Sequence, residues 1–188
     1  MIDLKEVTCC LITKEKEYPQ EILDHINELP FGEVLILTES DSPYRKHELF
    51  AKAKNELIYY QDDDAICPIE QLAEVADPDR INVAMKEGHF RAHFGNRATM
   101  GLGWGAFFPK RLLSCLKQYT DVYGEDDVYK RETERIFTYL CYPQNRKVLP
   151  IVDLPSAFAE DRLWRQPEHN QYKQIAEQRC KELLNKGS

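Results

Sequence analysis

The residues best placed to do chemistry are Asp62, Asp63 and Asp64, which follow the apolar run Leu57-Ile58-Tyr59-Tyr60 after a single Gln61, with Ala65-Ile66 behind them. Three adjacent carboxylates at the rim of a core repel one another, and a divalent cation is the usual offset. Oxygen ligands select Mg²⁺, Mn²⁺ or Ca²⁺ over zinc. A cation held by only one or two carboxylates takes its other ligands from water and a substrate phosphate. The triplet therefore points to metal-assisted phosphate chemistry, set against the plainer reading of a solvated acidic turn. A second acidic group, Gly124-Glu125-Asp126-Asp127, stands where a helix should begin. Acids there are favoured by the helix dipole alone, so a catalytic role needs further support. Between the two lies a glycine-rich stretch, Gly101-Leu102-Gly103-Trp104-Gly105, and far downstream stands His169.

These groups need a scaffold, and the patterning supplies one. Val7 to Thr13 is a continuous apolar run, as expected of a parallel strand covered on both faces. Pro19 to Leu29 has helical spacing, with Ile22, Leu23, Ile26 and Leu29 on one face. Glu33 to Thr38 reads as a second buried strand, Tyr44 to Lys54 as a polar surface helix, and Leu57 to Tyr60 as a third strand. Strand, helix, strand, helix, strand is a Rossmann-like half, and ligands gather at the carboxyl ends of such strands. The acids sit at that end. Beyond them the pattern predicts a helix over Pro68 to Ala76, a strand over Ile81 to Met85 and a short strand over Ala106 to Phe108. Helices follow over Lys110 to Tyr119 and from Gly124 to about Leu140. A last strand runs from Val148 to Val152 and a charged helix from Gln171 to Asn185. The fold class is α/β: one domain over 1–188 with a central, mostly parallel sheet flanked by helices. The Rossmann-like half falls within residues 1–66.

Composition narrows the function. The chain of 188 residues is long enough for a substantial core, and 43% hydrophobic with 30% charged residues is ordinary for a globular protein. A net charge of -7 argues against broad nucleic-acid binding. No apolar run approaches the ~20 residues that span a bilayer. Met1 to Glu6 carries charges where a secretory leader would be apolar, and no Asn-x-Ser/Thr sequon occurs. None of the six cysteines forms a CxxC pair, so reduced, buried thiols and a cytoplasmic setting are expected. One basic island stands out, with Lys86, His89, Arg91, His93 and Arg97 against the single acid Glu87.

Taken in order, Asp62-Asp63-Asp64, Gly101 to Gly105, Gly124-Glu125-Asp126 and His169 resemble the motifs of the GT-A fold glycosyltransferases: a DxD metal motif, a glycine loop, an xED motif and a late histidine. The stretch His47 to Ile66, with spaced alanines before a strand and the acids, is similar to the segment preceding the DxD in that family. The resemblance covers nearly the whole chain, near the minimal size of the family core. It implies a nucleotide-sugar donor, with UDP-sugar expected, Mn²⁺ or Mg²⁺ as cofactor, residues 1–66 as the nucleotide-binding half, and 67–188 as the acceptor-side half with the C-terminal helix. Asp64 is then the first choice for direct metal contact, Asp62 for the ribose or a metal-bound water, and His169 for the metal or diphosphate shell. Asp63 belongs to the same donor site. Asp126 would take the proton of the acceptor hydroxyl with Glu125 beside it, and Asp127 competes because Glu-Asp-Asp leaves the register open by one. Gly103 and Gly105 would approach the donor sugar, with Trp104 as a platform for a sugar face. Fold position implies that Thr13, Lys14 and Glu15 flank the base and ribose, with Glu39 near the base and Arg45 near the diphosphate or base. Arg91 and Arg97 would contact phosphate, either the donor's or an anionic acceptor's. The acceptor is expected to be a glycan, a lipid-linked sugar or a modified nucleic acid.

Two other classes compete. A sugar-phosphate nucleotidyltransferase shares the fold class, but those enzymes resemble one another in a glycine-rich basic signature after the first strand. Thr13-Lys14-Glu15-Lys16-Glu17-Tyr18 has no glycine. A non-catalytic Ca²⁺ module would need Gly at the sixth loop position and Glu at the twelfth, where Cys67 and Ala73 stand. An inactive GT-A-like binding module stays open.

Overall fold

The computed structural model describes residues 1–87, 101–141, 144–160 and 166–186. A six-stranded sheet organises them, in the order β2 (Glu33–Leu37), β1 (Val7–Ile12), β3 (Leu57–Gln61), β6 (Ala106–Pro109), β5 (Asn82–Met85) and β7 (Asn145–Val148). β1 lies parallel to both β2 and β3, and β5 is parallel to β7; only β6 runs antiparallel, to β3 and β5. A small second ladder joins β4 (Ala65–Ile66) to β8 (Val152–Asp153). The helices are α1 (Gln20–Asn27), α2 (Lys46–Lys52), α3 (Ile69–Val75), α4 (Leu116–Tyr123), α5 (Asp127–Leu140) and α6 (His169–Lys186). This is the mixed α/β class with a mostly parallel central sheet.

The core has two layers because successive strand residues face opposite ways. Cys10, Ile12, Ile58, Tyr60 and Phe108 point to one side and meet Phe50, Leu116, Tyr119, Ile136, Phe137 and Cys180 from α2, α4, α5 and α6. Cys9, Leu11, Tyr59 and Phe107 point to the other and meet Ile22, Ile26, Ile69 and Leu72 from α1 and α3. β1 is buried throughout since both faces are covered. Each such side chain contributes roughly 1.5–3 kcal/mol by leaving water. Phe50 stands edge-on to Tyr60 and Phe108 at ring separations of 5.3 and 5.2 Å, a favourable quadrupole arrangement.

Several sequence expectations are corrected here. β2 is an edge strand, not a buried one, with Val34 39% and Ile36 43% exposed. Its apolar run covers one sheet face and leaves the other to solvent. The segment expected as a polar surface helix is a 3₁₀ turn, Pro43–Arg45, followed by α2, which buries Lys46, Leu49 and Phe50. The segment expected to be helical from Lys110 begins as a 3₁₀ stretch, Lys110–Cys115, before α4. The last strand divides into β7 and β8, with Leu149, Pro150 and Ile151 between. Among the described residues no helix is long and apolar enough to cross a membrane.

Candidate functional site

The register of the sheet builds the acidic corner. β1 and β3 run parallel with Leu11 opposite Gln61, so two residues further on Thr13 lies beside Asp63. The Thr13 hydroxyl donates to Asp63 Oδ2 at 2.5 Å. The Tyr60 hydroxyl, two residues before Asp62 and on its face, donates to Asp62 Oδ1. Tyr18 donates to the Asp62 carbonyl at 2.7 Å. Burial first, and the negative Asp62 second, push the Tyr60 phenol well above its ordinary value, so it stays a donor. The backbone is pinned as firmly. Asp62 N–H donates to Gly103 O at 2.9 Å, Leu154 N–H to Asp64 O at 2.8 Å, and the Ser156 hydroxyl to Asp63 O at 3.1 Å. The β4–β8 ladder therefore buttresses the triplet from behind. Gly103 is required by close approach, since a Cβ there would land on the Asp62 carboxylate.

A cleft of about 650 Å³ opens over this corner. Asp62, Asp63 and Asp64 line it with Thr13 and Lys14 from the end of β1, Ser40 to Ser42 after β2, Lys46, Gly101, and Asp127, Lys130 and Arg131 from α5. His169, the first residue of α6, closes one side. Two acidic groups and a histidine, more than a hundred residues apart in the chain at the extremes, thus share one cleft.

The other predicted residues are placed as follows. Asp126 is the N-cap of α5: its Oδ1 accepts from Tyr129 N–H at 3.0 Å and its Oδ2 meets Arg179 of α6 at 2.7 Å. Burial works to raise this carboxyl, but those hydrogen bonds and the guanidinium outweigh it and hold it below its ordinary value. Asp126 is absent from the cleft lining, whereas Asp127 is present, and among the described residues no hydrogen bond or ion pair engages its side chain. Glu125 is exposed and bonds the Tyr44 hydroxyl. Glu15 and Glu39 tie the loops after β1 and β2 through Glu39 N–H to Glu15 O at 2.8 Å, outside the cleft lining. Glu39 holds φ at 52°, a left-handed turn made by a residue other than glycine. Arg45 also lies outside the lining, against Glu48 at 3.2 Å and Asp41 at 3.9 Å. Trp104 packs under the Lys86 ammonium, 4.9 Å from its ring centre, and Lys86 pairs with Asp153. Gly105 adopts φ of 120° and its carbonyl accepts from Ala84. His89, Arg91, His93 and Arg97 lie outside the described residues.

Sequence reasoning passed over several participants. Lys46 is only 4% exposed; its ammonium pairs with Glu134 and lies 4.8 Å from the centre of the Tyr60 ring. Glu134 Oε2 in turn accepts from Leu102 N–H at 2.9 Å, so α2, α5 and the glycine loop are joined. The signal was available, because Lys46 stands three and four residues before Leu49 and Phe50 and so shares their buried face. Lys130 and Arg131 face the cleft, Arg131 also meeting Glu168 at 3.3 Å. Glu132 is buried inside α5 and had no periodic signal at all.

Among the described residues no three His, Cys, Asp or Glu side chains converge to enclose a cation. The donor set fits a sparser site. Asp62 and Asp63 spend part of their acceptor capacity on Tyr60 and Thr13, and Asp64 and His169 line the same cleft. His169 Nδ1 is buried without a hydrogen bond and lies 3.2 Å from Glu132, so Nε2 is the nitrogen left for a ligand. One carboxylate and one imidazole would give Mn²⁺ two protein ligands and leave its remaining positions to other oxygen donors; Mg²⁺, which favours oxygen ligands alone, suits the imidazole less.

No protein-family model matches the sequence, and no curated protein sequence is similar to it. Solved structures with a similar fold include a glycosyltransferase involved in glycosylation of the major capsid of PBCV-1, with TM-score 0.47 and 16% identity over 76% of this chain and 80% of that one. Another is glucosyl-3-phosphoglycerate synthase from Mycobacterium tuberculosis in complex with Mn²⁺, UDP and phosphoglyceric acid, with TM-score 0.40 and 11% identity over 64% of this chain and 66% of that one. A third is S. aureus TarS 1-349 in complex with UDP-GlcNAc, with TM-score 0.44 and 11% identity over 92% of this chain and 66% of that one. Likeness at this level concerns the outline of the fold.

Proposed function

We propose that this chain is a metal-dependent glycosyltransferase that moves a sugar from a nucleoside-diphosphate donor, with UDP-sugar favoured, to an acceptor hydroxyl with inversion. One observation carries the reading: Asp62 to Asp64, Asp127 and His169 line a single cleft of about 650 Å³ together with Lys46, Lys130 and Arg131. Carboxylates and cations in one cleft suit a ligand that is itself a diphosphate joined to a neutral, hydroxyl-rich group. Thr13, Lys14 and Ser40 to Ser42 flank the nucleoside. Lys130 and Arg131 attract the diphosphate. A divalent cation held by Asp64 and His169 would supply neutralisation of the charge that develops as the diphosphate departs.

Asp127 takes the proton of the acceptor hydroxyl. The oxygen so exposed bonds to the anomeric carbon from the face opposite the diphosphate, which leaves with the electron pair of the broken bond. Asp127 suits this better than Asp126, whose two oxygens already hold a helix start and a guanidinium and whose affinity for a proton is reduced. The donor test is a thermal-shift series with UDP, MnCl₂, both together, and both with excess chelator. UDP at about 100 times its Kd with Mn²⁺ should add ~2.7 kcal/mol of stability, lost on chelation. Equal stabilisation by UDP under chelation would overturn the metal-bridged reading, and no stabilisation by any nucleoside diphosphate would overturn the donor assignment.

A further inference from the structure

We infer that Glu132 is a positioning residue that holds the His169 imidazole with its Nε2 turned to the cleft; the ligand-binding half of this inference rests on the donor reading above. α5 is helical from Asp127 to Leu140 except at Glu132, where φ is -116° and ψ 19°. The Thr133 hydroxyl bonds back to the Tyr129 carbonyl at the same turn. Six consecutive residues, Lys130 to Arg135, reach the cleft lining. A regular helix would show a cleft about half of such a run. The interruption is what brings the Glu132 side chain inward.

A carboxylate that is 2% exposed needs partners. Arg135 takes one oxygen, with Nε 2.8 Å from Oε2. The other oxygen, Oε1, has no hydrogen bond in this arrangement, and neither has His169 Nδ1; the two face each other at 3.2 Å. Each is the polar atom the other lacks. A proton on Nδ1 turns the pair into a donor and an acceptor, whereas a proton on Nε2 would set two lone pairs against each other. The backbone of His169 is fixed as well, since its main-chain N–H donates to Gln166 O at 3.0 Å where α6 begins. With Nδ1–H committed to Glu132, the lone pair belongs to Nε2 on the opposite edge of the ring. A carboxylate behind an imidazole fixes its tautomer and strengthens the far nitrogen as a ligand. Glu132 thus acts through His169 and touches neither donor nor acceptor.

Two measurements test this. The first needs no ligand: long-range ¹H–¹⁵N spectra of the histidine rings at pH 7.5, with His169 assigned by its loss in His169→Gln. The wild type should show His169 as the Nδ1–H tautomer, and Glu132→Ala should move it toward Nε2–H. An Nε2–H ring in the wild type, or an unchanged ring in Glu132→Ala, would overturn the inference. The second is calorimetry of UDP with MnCl₂. His169→Ala and Glu132→Ala should each weaken binding by ~10–100-fold, with Glu132→Gln between them and the wild type because its amide oxygen can still accept from Nδ1–H. Glu132→Gln also preserves shape if the alanine variant does not fold. Loss in His169→Ala with wild-type affinity in both Glu132 variants would make the pair a mere tie between α5 and α6 and overturn the inference. Absence of UDP–Mn²⁺ binding in the wild type would instead overturn the donor reading, and the tautomer result would then judge the Glu132–His169 pair alone.

Discussion

At residue scale the sharpest question lies within Glu125-Asp126-Asp127. Asp126 is engaged by Tyr129 N–H and Arg179, while Asp127 faces the cleft. Asp126→Ala removes a helix cap and strands Arg179, so it should cost ~1–2 kcal/mol in denaturant unfolding. Turnover per folded molecule should change little. Asp127→Asn should leave stability and UDP affinity as they are and lower kcat by ~10²–10⁴. The reverse pattern would return the base to Asp126. This register could not be read from the sequence. Asp is equally welcome as an N-cap and in a first helical turn, so local preference does not separate the two positions. What separates them is Arg179, 53 residues further along. The Asp triplet was legible for the opposite reason: an apolar strand and the acids that end it are adjacent in the chain, and the parallel sheet fixes what stands beside them.

At the scale of elements, the cleft depends on ties between segments far apart in sequence. Lys46 of α2 pairs with Glu134 of α5, which holds Leu102 N–H in the glycine loop. Removing one partner of a buried pair leaves a charge without compensation, and Lys46→Ala should cost ~3–5 kcal/mol by urea unfolding. A loss below that of an exposed pair would show that Glu134 finds another partner. Gly103→Ala tests the loop differently. The new Cβ would meet the Asp62 carboxylate, so the loop or the carboxylate must shift. The expected result is a folded protein with UDP–Mn²⁺ affinity reduced at least ~10-fold, about 1.4 kcal/mol; unchanged affinity would free Asp62 from the donor site. The elements that patterning placed well, β1, α1 and β3, have apolar periodicity set by burial on known faces. β2 was misjudged because an edge strand with one covered face can carry the same Val, Leu and Ile as a central one. α2 was misjudged because its one buried charge looks polar in sequence and its partner is 88 residues away. The break in α5 left no trace, since Glu132 and Thr133 are ordinary helix residues until a distant histidine gives them a reason to turn.

Over the whole molecule, the two sheet layers must unfold together, so a buried titratable group on either side makes global stability depend on pH. His47 is such a group. Its ring lies 5.6 Å from that of Tyr44 and 5.2 Å from that of Phe50, and its Nε2 is buried with no hydrogen bond among the described residues. Burial first, and the neighbouring Lys46 charge second, push its pKa down to about 3. The unfolded chain binds that proton near pH ~6.5. Between these values the unfolded state holds more protons than the folded state, so stability rises with pH across the window. The contribution of neutral His47 is fully present above the unfolded value and is lost as pH falls toward the folded one. Asp126 and Glu33, whose carboxyls are held below their ordinary values, add a loss of the same sign only at more acidic pH. His47 therefore dominates the upper part of the decline. Because part of the residue still meets solvent, the drop from pH 7.5 to pH 5 should be at most about 2 kcal/mol. Urea unfolding at the two pH values measures it, and His47→Phe supplies the control. Phe keeps an aromatic ring between Tyr44 and Phe50 but binds no proton, so its stability should hold nearly constant over the same interval. Parallel slopes for wild type and His47→Phe would assign the pH dependence to other groups and would mean that His47 opens to solvent in the native state.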